Sequence, residues 1–260
     1  MATSSRAANS SMRFGDLTYL EIRERAEEGW LAVVPTGCTE QQGPHLPVDS
    51  DTWLAEAVTL AASERAAHSF GVRSLVLPAL PFGPTPEHRA YGSGYVDVPV
   101  EVHEVLVRVV LDSLAEQGFR RIVVWRGCGG HDLSGVVDQF NDEHPEARAF
   151  LPTQPYQEIW CRLGDPSVRG GHADSFTTSI ALHLRPWAVR TDRIFNPQHQ
   201  VVDRGDPDLN PGHSSTGVIG DPTHASAELG SLLWPEVVEA VALTLKAAAE
   251  APVDERGAAP

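Results

Sequence analysis

The chain has 260 residues, 42% of them hydrophobic, which suits one α/β domain with a sizeable core and excludes a disordered chain. A formal net charge of −15 argues against nucleic acid and anionic membranes as partners, because both select clustered Lys and Arg. No apolar run approaches the roughly 18 residues of a membrane span, and three cysteines (Cys38, Cys128, Cys161) are too few for a disulfide framework, so a reducing cytoplasm is the expected home.

Residues 1–12 are Ser/Ala-rich without a hydrophobic signal core and read as a loose tail, followed by one domain over 13–250 and a polar tail over 251–260. A helix is expected at 19–28 and a buried strand at 31–35, then a helix at 51–68 and a strand at 73–77. A Pro/Gly-rich loop over 78–94 leads to a helix at 100–117, whose Val102, Val105, Leu106, Val109, Val110 and Leu114 recur at helical spacing. A strand at 121–125, a helix at 133–143 and a strand at 147–151 follow. After an irregular segment come a helix at 174–184, a long Gly-, Pro-, Asp- and His-rich stretch over 191–231, and a last helix at 235–250. Strands alternating with helices imply βαβ units, hence a three-layer α/β/α fold with a mostly parallel sheet. The 191–231 stretch is poorly suited to being a free loop and is expected to pack against neighbouring subunits.

Three stretches concentrate chemistry. The first leaves the 31–35 strand and carries Glu40, His45, Asp49 and Asp51 on one turn, at the sheet edge where α/β proteins place ligands. Carboxylates and imidazoles packed so densely need a cation or hydrogen bonds to offset their repulsion; the plainer reading is a polar loop with Asp51 as helix N-cap. The second, Gly127-Cys128-Gly129-Gly130-His131, ends the third strand. Thiolate and imidazole there favour Zn²⁺ over hard cations, although a Cys in a glycine turn is more often a small buried residue. The third, Gly170-Gly-His172-Ala-Asp174, opens a helix that Asp174 suits as a cap.

The first stretch resembles the creatininase (creatinine amidohydrolase) family, whose members carry Ser-Thr-Glu-Gln-His-Gly-Pro-His-Leu-Pro and then Asp. Gln42 stands at that family's metal-binding His. At the second stretch members have Asn-Gly-His-Gly-Gly-Asn, or Asn-Gly-His-Tyr-Glu-Asn in creatininase itself; Cys128 aligns with the metal-binding His, Gly130 with a metal-binding Glu, and His131 with the final Asn. His172 matches the histidine assigned as proton shuttle, His88 one of a substrate-side pair, and Gly217 to Gly230 the C-terminal Gly-Asp-Pro-x-x-Ala-Ser-x-Glu-x-Gly pattern. The resemblance implies hydrolysis of a non-peptide or cyclic amide, a small amide or lactam substrate, and a homo-oligomer, often a hexamer.

On this alignment Glu40, Asp51 and Cys128 are the expected ligands of one divalent ion, with Zn²⁺ ahead of Mn²⁺ or Fe²⁺. His172 and His131 are the expected catalytic groups, and His88, Gln42, His45 and Asp174 the substrate side. Two alternatives accompany this reading. One is a Cys128-dependent transferase, cyclase or lyase of the same fold, and the other a catalytically inactive partner subunit.

Overall fold

The computed structural model describes residues 11–167, 170–197 and 216–253. Most of both expected tails, and 198–215 of the expected 191–231 segment, lie outside the described residues.

Four strands, β1 (Leu31–Thr36), β2 (Ser74–Val76), β3 (Arg121–Arg126) and β4 (Arg148–Phe150), form a parallel sheet in the order β2-β1-β3-β4. Such a sheet must be covered on both faces, and the strands alternate accordingly. Leu31, Val33, Val123 and Trp125 enter one apolar core, built with α2 (Ser50–Phe70), α5 (Tyr156–Leu163), α6 (Ser175–Leu184) and α7 (Ala227–Glu250). Ala32, Val34, Ile122 and Val124 enter the other, with α1 (Tyr19–Glu27), α3 (Val100–Glu116) and α4 (Ser134–Glu143). These are the three expected layers.

Three elements differ from expectation. The segment expected to be irregular contains α5, which buries Ile159 and Trp160 after Pro155 has opened it. The last helix starts at Ala227 rather than Pro235, because Ser226 accepts the Leu229 N–H as a side-chain cap; Pro235 lies inside and leaves the Ser231 carbonyl without its usual helical donor. In α3 the apolar periodicity marks two faces. His103, Val107, Leu111 and Leu114 are buried, while Val102, Val105, Leu106 and Val109 stand 55%, 62%, 41% and 53% exposed on the other side.

Candidate metal centre

Strands β1 and β3 end side by side, in register through Thr36 and Arg126, and two glycines let their exits close on the start of α2. A Cβ at Gly37 would meet Thr52 backbone at 2.5 Å, and one at Gly127 would meet Thr36 O at 2.5 Å and Asp51 O at 2.9 Å. Only glycine permits that approach. Gly127 N–H donates to Thr36 O at 2.6 Å, and Thr52 Oγ1 donates to Cys38 O at 2.9 Å, fixing the loop between. The helix cap is Asp49 rather than Asp51. Its carboxylate makes no capping bond and instead pairs with both terminal nitrogens of Arg185 at 3.1 Å. Asp51, released from that duty, turns into the cluster.

The cluster joins Cys38, Glu40, Asp51 and Cys128, with one donor atom of each within 4.8 Å of all the others. His131 lies within the same distance of Cys38 and Cys128. The Cys38 thiol donates to Asp51 Oδ2 at 3.1 Å, and the Gln42 amide donates to Asp51 Oδ2 at 2.9 Å and Glu40 Oε1 at 3.3 Å. Glu40 has a second engagement, its Oε1 lying 3.3 Å from His172 Nδ1 and its Oε2 3.4 Å from His88 Nε2. The His88 and His172 rings stand 5.0 Å apart.

Burial pushes Glu40 up to about 11, helped by the charges of Cys128 and Asp51, and pushes Asp51 up to about 7, with Cys128 again adding to it. The hydrogen bond from Cys38 holds Cys128 well below the ordinary thiol range, and the same contact raises Cys38. Burial would lower His131, but its hydrogen bond to Cys128 and that residue's charge raise it. Two carboxyls and two thiols buried against one another cannot all ionise without a cation. The donor set therefore fits a divalent ion, and its sulfur favours Zn²⁺ or Fe²⁺ over Mg²⁺, Ca²⁺ or Mn²⁺.

Glu40, Gln42, Asp51, His88, Cys128 and His172 all border one cleft of ≈ 410 Å³, which Tyr156, Trp160 and Phe176 also line. Asp174 borders it too, but its carboxylate caps α6, accepting from Thr177 and Gly171 N–H at 2.9 Å each. His45 is outside this wall. Burial pushes it down to about 4, and its Nε2 sits 2.9 Å from Thr178 Oγ1. His131 stands behind Cys128, its Nε2 donating to Pro84 O at 3.0 Å and its ring occupying the space a Cβ on Gly83 would need. The C-terminal pattern meets the site through backbone. His172 and Ile219 exchange N–H···O bonds of 3.0 and 2.8 Å, and Ala173 beside them takes the left-handed φ of 51°, a strained value for a residue with a side chain.

Cys38 is absent from the ligands expected from sequence. Its signal was the alternation Cys38-x-Glu40 leaving a strand, which puts both side chains on one side.

The family model for creatinine amidohydrolase matches residues 15–245. A mycofactocin precursor peptide peptidase of Mycolicibacterium smegmatis is 30% identical over 222 residues, 83% of this chain and 84% of the relative. A creatinine amidohydrolase of Pseudomonas putida is 24% identical over 261 residues, 90% and 96%. A solved mutant creatininase of Zn–Zn type superposes with a TM-score of 0.76 at 23% identity, over 93% of this chain and 99% of that one. The chain belongs to the creatininase family.

Proposed function

We propose that this creatininase-family hydrolase cleaves an amide C–N bond of a small amide or lactam with one divalent ion, Zn²⁺ ahead of Fe²⁺ or Mn²⁺. The observation that carries this reading is the buried cluster of Glu40, Asp51 and Cys128 opening on a cleft of small-molecule size. When bound, the ion supplies Lewis acidity and lowers the pKa of water from about 15.7 toward 7. Glu40, Asp51 and Cys128 would hold it. The family's second position loses its strong donors, because Gln42 offers a weakly donating amide oxygen in place of an imidazole and Gly130 has no side chain.

The chain's own residues provide the proton handling. His172 Nε2 lies 2.6 Å from Gln41 O, an acceptor, and 3.2 Å from the Gln41 side-chain nitrogen, a donor; the shorter contact assigns the hydrogen to Nε2 and leaves the Nδ1 lone pair toward Glu40. Nδ1 is thus the atom that takes a proton and returns it to the departing nitrogen. Tyr156, Trp160 and Phe176 give the substrate an apolar wall, and Gln154 and Gln157 offer amide groups for a neutral polar partner. A peptide substrate is the second reading, favoured by the peptidase relative at 30% identity.

Chelation should abolish hydrolysis of a panel of lactams and amides, and Zn²⁺ should restore it. The same preparations carry a pH signature. An unfolded Asp titrates near 3.9, whereas folded, metal-free Asp51 does so at about 7. Unfolding therefore releases a proton between those values, and the chelated protein loses stability as pH rises through that window, with Glu40 extending the loss toward about 11. The metal-loaded protein has no such loss, so the gain in melting temperature on adding Zn²⁺ should grow from pH 5 to pH 8. A gain that is flat or shrinks with pH contradicts the proposal.

Self-association belongs to the same proposal. The exposed Val102, Val105, Leu106 and Val109 stripe is an apolar helix face of the kind that soluble proteins cover, and a second copy supplies a matching one about a two-fold axis. Light scattering should show an oligomer, and Val105→Glu with Val109→Glu should dissociate it.

A further inference from the structure

We propose that Cys38 is a direct donor to the metal, so that the centre is a two-thiolate site rather than a carboxylate site with one sulfur. This rests on the reading that the cluster holds an ion, and adds a ligand which that reading does not use.

Three observations carry it. Cys38 is fully buried yet belongs to none of the three apolar clusters among the described residues, so it is not a hydrophobic plug. Its neighbours are donor groups. Sγ lies 3.1 Å from Asp51 Oδ2 and within 4.8 Å of donor atoms of Cys128, Glu40 and Asp51, and, in a second grouping, of His131. Its backbone is also held rigidly, with Gly37 against Thr52 and Thr52 Oγ1 on the Cys38 carbonyl, so the thiol is delivered to that point rather than drifting there.

The chain thereby gains two sulfurs at adjacent points, Cys38 where the resembled motif has Ser and Cys128 where it has His. Two thiols converging on a shared carboxylate amount to a change of donor softness. Glu40 divides its two oxygens between the imidazoles of His172 and His88, whereas Cys38, Cys128 and Asp51 converge on one another with His131 beside the two thiols, so these three form the inner set. Two thiolates and a carboxylate select Zn²⁺, Fe²⁺ or Co²⁺ and discriminate against Mn²⁺.

The test uses Co²⁺ as the probe, because thiolate-to-cobalt charge transfer reports sulfur ligation independently of turnover. Full-length protein is chelated, titrated with Co²⁺ to saturation, and its near-ultraviolet absorption per bound ion compared across variants checked for folding by circular dichroism. Intensity follows the number of Co–S bonds, so Cys38→Ser and Cys128→Ser should each retain about half of the wild-type band, and the double variant none. Competition supplies the second readout: the Zn²⁺ over Mn²⁺ preference should fall by roughly tenfold or more in Cys38→Ser, and Cys38→Ala should match it. Full band intensity in Cys38→Ser, with none left in Cys128→Ser, overturns the Cys38 assignment and leaves the metal reading standing. Absence of cobalt binding in the wild type overturns both.

Discussion

Cys128→Ser is expected to bind metal far more weakly and to lose hydrolytic activity with it. A neutral hydroxyl is a far poorer donor to Zn²⁺ than a thiolate, and since partners that merely orient ligands are worth about 10–100-fold in affinity, removal of the ligand itself should cost on the order of 10²-fold or more. Cys128→His should recover part of the metal content, because an imidazole reaches the same point and is the group the resembled motif uses. The variant pair also separates the proposal from its rival. Cys128 is a lowered-pKa thiol beside His131 on the cleft wall, a setting that suits a nucleophile as well as a ligand. A nucleophile would leave Cys128→His inactive at full metal occupancy and yield a covalent adduct visible by mass spectrometry. A packed residue would leave Cys128→Ser active.

Gly230→Ala is expected to destabilise the protein markedly. At an open helical position that change stabilises by up to about 1 kcal/mol. Here a Cβ would stand 2.0 Å from the Ser179 carbonyl oxygen and 2.7 Å from its carbon, both backbone atoms of α6. Neither can swing aside as a side chain can, so the helices must separate, and overpacking of this kind costs about 1–3 kcal/mol. For a chain of this length the melting temperature should drop by roughly 2–4 °C per kcal/mol. The loss should extend to the site, because α6 starts at the Asp174 cap that follows His172. A thermal melt equal to or above wild type would contradict the close α6–α7 approach.

The sheet was legible because its central strands are buried on both faces and therefore appear as unbroken apolar runs, as in Leu31 to Val34 and Ile122 to Trp125. Helix α5 was not, since eight residues give too few turns for a period to emerge beside Pro155. In α3 a real 3.6-residue period misled, because a valine repeat cannot say whether the chain's own core or another surface covers it. The site divides in the same way. Glu40 and Asp51 stood out by sharing one turn, and Cys128 and His172 by their glycine-flanked strand and helix junctions. Cys38 drew no reading because its partners arrive from elsewhere, Asp51 thirteen positions on and Cys128 just beyond the end of β3. Of the two readings of Asp51, cap and ligand, the cap position falls to Asp49 instead, whose carboxylate is held by Arg185 from the end of α6.

The parallel order β2-β1-β3-β4 bears on how the protein matures. Parallel neighbours are joined only through intervening helices, so the turn holding Cys38 and Asp51 cannot meet Cys128 until the chain through β3 has been made and has docked on β1. The Gln41–His172 contact spans 131 positions and closes later still. The loop over 38–51 carries three of the four converging donors, and the fourth, Cys128, joins them only with β3. On the proposed reading, then, metal loading belongs to the assembled domain rather than to the nascent chain.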